Sequence, residues 1–68
     1  MDQYTVEQAR RLAKISQKKM AQYLNISENA YINKEKGETK FYVDEALKFA
    51  ERVNIPFDKI KFTRNYFF

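Results

Sequence analysis

Asn29 and Asn33 stand four residues apart, and a turn of about 100° per residue puts Glu28, Ile32 and Lys36 on the same side of a helix. Asn can donate to and accept from adenine N6 and N7, Glu can accept from cytosine N4, and Ile can touch a thymine methyl. A face that is short-chained and rich in amides suits the major groove of double-stranded DNA. The other side of the same helix turns Ala30, Tyr31 and Lys34 inward. Two plainer readings compete: a solvated polar surface at Asn29 and Asn33, and an ordinary core position at Ile32.

Other chemistry is poorly provided for. The chain has no His and no Cys, which removes imidazole bases, thiolate nucleophiles, disulfides and Cys/His metal sites. A single Gly leaves no phosphate loop. Ser16 and Ser27 are better explained as helix caps, and no periodicity pairs the scattered carboxylates. An enzyme is not expected, nor are a metal, a cofactor or a small-molecule ligand. Lys and Arg number 13 against 9 Asp and Glu, for a net charge of +4 and a pI near 9.4. The surplus favours a polyanion, through counterion release from nucleic acid or through an anionic membrane. No apolar run approaches the roughly 20 residues of a spanning helix. Met1-Asp2-Gln3 does not begin a secretory signal. The expected address is the cytoplasm, with no membrane partner.

The reading face must be carried by something rigid. Sixty-eight residues make one small domain near the lower limit for an independent core. One Gly and one Pro supply few turns, which points to helices. The first helix is expected from residue 6 to about 14. Thr5 and Gln8 are spaced as a capping box, and Val6, Ala9, Leu12 and Ala13 lie at helical spacing. The second spans 17 to 24 behind Ser16, with Met20, Ala21 and Leu24 inward. The third spans 28 to about 36, capped by Ser27 and stopped by Gly37. The fourth runs from about 43 to 53, with Val43, Ala46, Leu47, Ala50 and Val53 on one face. A fifth, short helix is expected at Pro56, carrying Phe57 and Ile60. The fold class is therefore all-α, five short helices around one core.

The second and third helices are joined by only three residues, a connection that sets two helices at a steep angle. Ala21 is small where the next helix approaches. Asn25 can supply a positive φ, Ile26 can plug the corner, and Tyr31 can anchor the third helix. The run from Ser16 to Ser27, followed by Tyr31 and by Glu35-Lys36-Gly37, resembles the helix-turn-helix of the Xre/Cro family of phage and bacterial repressors. Ala46 to Ile60 resembles the two helices that complete that domain, so the resemblance covers about residues 5 to 62. Two positions depart from the family pattern. Asn25 stands where Gly is usual, and Lys34 where a large apolar residue is usual. Lys34 would have to lay its stem along the core and leave its amine in solvent.

The resemblance implies a compact lambda-repressor-like domain that binds DNA. It implies base contacts from Ser27, Glu28, Asn29 and Asn33; Ile32 joins them on helical phase alone. It implies phosphate contacts from Gln17, where the start of the second helix also suits an anion beside Ser16. Lys36, Lys40 and Tyr42 match family positions that grip the backbone. Lys18 and Lys19 read more simply as a solvated face. Arg10 borders the buried stripe of the first helix, and the resemblance implies that it pairs with Glu35.

The expected division is an N-terminal extension over 1–4, the helix-turn-helix domain over 5–62 and an aromatic tail over 63–68. Small repressors of this kind bind as two-fold dimers with half-sites about 34 Å apart. Phe62, Tyr66, Phe67 and Phe68 are the candidates for the seam, unless they fold back onto their own core. The expected function is a small transcriptional regulator, a phage or prophage-type repressor acting as a homodimer. Its rival is a protein-binding module on the same fold, an antirepressor or antitoxin-like partner. A DNA reader keeps Asn29 and Asn33 outward beside Lys36 and Lys40. A protein binder exposes Ile32, Tyr23 and the tail aromatics as one apolar patch.

Overall fold

Each helix begins where a side chain can take up a free amide and ends where the backbone turns left-handed. The computed structural model describes residues 3–62. Its order is β1 (Tyr4–Thr5), α1 (Val6–Leu12), α2 (Gln17–Leu24), α3 (Glu28–Lys36), α4 (Val43–Val53), a 3-10 turn (Phe57–Lys59) and β2 (Ile60–Lys61). At the start of α1 the Thr5 hydroxyl accepts from the Gln8 amide at 3.0 Å. The Gln8 side chain accepts from the Thr5 amide at 2.9 Å, which closes the capping box. Ser16 and Ser27 accept from the amides of Lys19 and Ala30 at 3.0 and 3.1 Å. Each such cap contributes about 1 kcal/mol.

The stops at Lys14, Asn25, Gly37 and Asn54 all have positive φ, between 61° and 88°. Gly37 does this without a Cβ penalty, and the two Asn residues tolerate it well. Lys14 is the costly one. Its turn is closed by the Ile15 amide donating to the Arg10 carbonyl, and α1 ends two residues earlier than its apolar spacing predicts.

The expected fifth helix is corrected by the structure to a single 3-10 turn of three residues, leaving four α-helices among the described residues. The chain has no room for a longer helix after Pro56, because Ile60 is already committed to a strand. β1 and β2 pair in parallel, Tyr4 with Ile60 and Thr5 with Lys61, and join the two ends of the domain. No strand was expected from the sequence. The architecture is otherwise all-helical.

The core gathers Val6, Ala9, Ile15, Met20, Ala21, Leu24, Tyr31, Phe41, Ala46, Phe49, Ala50, Val53, Ile60 and Phe62. Phe41 is its hub. Its ring lies 5.3 Å from Phe62, 6.1 Å from Phe49 and 6.4 Å from Tyr31. Four expected positions fail here. Leu12 is 61% and Leu47 51% exposed, and Val43 is also exposed. On α4 the buried stripe is Ala46, Phe49, Ala50 and Val53, because the larger Phe49 takes the interior and turns Leu47 out. Phe62, expected at a dimer seam, is only 2% exposed. It packs edge-on to Phe41 and Phe49 and stacks on Phe57 at 5.2 Å. Tyr66, Phe67 and Phe68 lie outside the described residues.

Candidate nucleic-acid interface

The Ser16 cap sets the start of α2, and the left-handed Asn25 and capping Ser27 turn the chain directly into α3. Ile26 is half-buried against the core beneath this corner, and Tyr31 is fully buried below α3. With Tyr31 and Lys34 inward, Ser27, Glu28 and Asn29 are exposed, while Ile32 and Asn33 are half-buried. Gly37 then reverses the chain into the loop that carries Lys40 and ends at Tyr42. Lys36, Lys40 and Tyr42 are exposed, Tyr42 by 64%. Lys36 approaches Glu38 only at 3.9 Å, with both side chains exposed, a pair of negligible worth. Ser16 and Ser27 spend their oxygens as acceptors for helix amides, and each hydroxyl keeps its proton to donate.

One residue of α3 ties the motif together. Glu35 accepts from Arg10 Nε at 2.7 Å, from Gln17 Nε2 at 2.6 Å and from the Tyr31 hydroxyl at 3.0 Å. A second Arg10 nitrogen reaches its other oxygen at 3.4 Å, and Arg10 also donates to the Ile15 carbonyl at 2.9 Å. The Arg10 and Glu35 side chains are both nearly closed to solvent. Burial opposes the charge on Arg10, but the hydrogen bond and field of Glu35 outweigh it and raise its pKa. Burial, then the field and hydrogen bond of Glu35, push the Tyr31 phenol well up, so it stays a donor. The structure thus brings Arg10, Gln17, Tyr31 and Glu35 into one cluster that links α1, α2 and α3.

Two members were not foreseen as polar partners. Tyr31 was expected only as an apolar anchor, although its spacing of four from Glu35 is a legible hint. Gln17 was expected to face phosphate alone. Its amide is half-buried and one donor is given to Glu35, which leaves its carbonyl and a second N–H.

Lys34 overturns its expectation. Its amine is not in solvent: Nζ donates to the Lys40 carbonyl at 2.7 Å and lies 3.0 Å from Glu45 Oε1. The family's apolar residue is replaced here by a buried cation with its own partners. Lys18 and Lys19 are exposed on α2. Tyr23 lies partly open on the same helix, its ring flanked by Lys48 at 5.6 Å and Arg52 at 5.8 Å.

No group of carboxylates suited to a metal ion occurs among the described residues. No helix there is long and apolar enough to cross a membrane. Residues 6–60 match the family model described as helix-turn-helix. Neither the curated proteins nor the solved structures return a match.

Proposed function

The chain belongs to the Xre-type helix-turn-helix family, and from that membership and the geometry of α3 we propose that it is a sequence-specific DNA-binding transcriptional regulator, a repressor of the phage or prophage type. The observation that carries this is the free edge of α3. Glu28 and Asn29 are exposed at its start, Asn33 is partly open one turn on, and the exposed Lys36, Lys40 and Tyr42 follow. α3 enters the major groove. Ser27, Glu28, Asn29, Ile32 and Asn33 meet base edges, and Ser16, Gln17, Lys36, Lys40 and Tyr42 meet phosphates. The domain comprises residues 5–62, with the tail 63–68 bringing Tyr66, Phe67 and Phe68 to a second copy on a two-fold site.

The protein-binding alternative gains little support from the described residues. Ile32 is half-buried, and the ring of Tyr23 is flanked by the cations Lys48 and Arg52.

Selection of bound duplexes from a random pool tests the reading. A two-fold symmetric consensus is expected, and recovery of no sequence preference overturns it. On that consensus, Asn33→Ala is expected to cost about 1–3 kcal/mol at one base position and to relax the choice there. Equal loss on every duplex would remove Asn33 from base reading.

A further inference from the structure

We infer that Lys34, though it touches no DNA, is the positioning residue that holds the loop after the recognition helix against the phosphate backbone. This rests on the DNA-binding reading. The loop from Gly37 to Tyr42 must stay in place to present Lys40, and its own backbone bonds hold only its first part. The amides of Glu38 and Thr39 donate to the Asn33 carbonyl at 2.9 and 3.4 Å. Beyond Thr39 the Lys40 carbonyl is fastened by Lys34, and Tyr42 is held by the first turn of α4. The Lys34 ammonium donates to the carbonyl of Lys40 itself and forms an ion pair with Glu45 of α4 at 3.0 Å. The same Glu45 oxygen accepts the Tyr42 amide at 2.9 Å, and the Tyr42 ring lies 4.8 Å from Nζ. Between these two contacts Phe41 is sunk into the core.

One buried cation therefore joins the end of α3, the loop and the first turn of α4. An apolar side chain could fill the same space but could not hold the Lys40 carbonyl. The Lys40 side chain is left exposed, with no ion partner among the described residues. The departure from the family's apolar pattern is thus tied to the presentation of Lys40.

The test is a double-mutant cycle on the full chain, read by duplex binding over a range of salt. Lys34→Met keeps the length of the stem and removes the ammonium. Lys40→Ala removes the proposed phosphate contact. Each single change is expected to weaken binding about tenfold, the worth of one charge-assisted contact. Each should also lower the salt slope by about 0.9, although Lys34 itself is buried. In the Lys40→Ala background, Lys34→Met should change neither quantity much further. A residue that merely supports stability would leave the slope intact and add its loss independently, and that result overturns the proposal.

Glu45→Gln provides a second arm, needed if Lys34→Met does not fold. It keeps an acceptor for the Tyr42 amide and makes the protein more positive. General attraction would then tighten binding, whereas loss of positioning weakens it. Tighter binding sinks the proposal. A wild-type chain that binds duplexes steeply with salt, with independent variants, sinks the positioning role alone. A wild-type chain that binds no duplex sinks the DNA reading with it.

Discussion

Adjacent residues of α3 anchor two ion pairs that do different work. Glu35 faces α1 and α2 and is met by a forked guanidinium, an amide and a phenol. Lys34 faces the loop and α4 and is met by one carbonyl and one carboxylate. Both pairs are largely closed to solvent. The Glu35 cluster joins elements that are already regular helices, so it fixes their mutual angle. The Lys34 clamp holds a segment with no regular structure, so it fixes a shape the loop would not keep alone. A buried charge is costly unless every donor and acceptor finds a partner, and no buried side-chain N or O among the described residues is left without one.

The sharpest way to break this contrast is to remove the carboxylate from each side. Glu35→Ala strands the Arg10 guanidinium and releases Tyr31 and Gln17 together. A loss of about 3–5 kcal/mol is expected, measured by urea unfolding. A domain this small has little more than that to lose, so the variant should be largely unfolded at 37 °C. Glu45→Gln keeps an acceptor for the Tyr42 amide and should cost only about 1 kcal/mol. Equal losses at the two positions would mean that the loop clamp is as central to the fold as the helix cluster.

The two nodes also differ in how far they could be read from sequence. Local signals were legible: the Thr5–Gln8 box, the Ser16 and Ser27 caps and the Gly37 stop each depend on residues within four of one another. The Arg10–Glu35 pair was reachable because family likeness linked two distant positions. The Lys34 clamp was not, since its partners are a backbone carbonyl in the loop and a carboxylate on the next helix. Its stem was expected along the core, but nothing local says that its amine stays inside. The misplacements of Leu12, Leu47 and Phe62 have one cause. Several apolar residues compete for a small interior, and the outcome depends on which rings meet across it, Phe49 and Phe62 on Phe41. The pairing of Tyr4 with Ile60 is likewise set by where the two chain ends arrive.

Alkaline pH probes the Glu35 side through Tyr31. Tyr31 has its phenol pushed above the ordinary value of 10.0 by burial and by Glu35. In the unfolded chain it loses its proton first, so its share of stability is complete below about pH 10 and drains away as pH rises further. The slope for this one group is about 1.4 kcal/mol per pH unit. Tyr31→Phe should lose about 1 kcal/mol at neutral pH, where Glu35 gives up a donor. It should also flatten the fall in urea midpoint above pH 10. An unchanged alkaline limb would place the titrating group elsewhere.

The smallest expected effect separates the turns that serve the two nodes. Beside Lys34 the chain turns left-handed at Gly37, with φ 88°, where a glycine does it freely. Beside Arg10 it turns left-handed at Lys14, with φ 61°, where the Cβ is crowded. That turn cannot simply relax, because it carries Ile15 back so that its carbonyl meets the Arg10 guanidinium at 2.9 Å. The Arg10 cluster thus holds a strained backbone residue in place, and the Lys34 clamp holds none. Lys14→Gly is expected to raise stability by about 0.5–1 kcal/mol, part of the relieved strain being offset by the freer unfolded chain. Gly37→Ala is expected to lower it by about 1 kcal/mol for the converse reason. Urea midpoints of the two variants decide the matter. A destabilising Lys14→Gly would mean that the lysine stem supports this corner by more than its backbone costs.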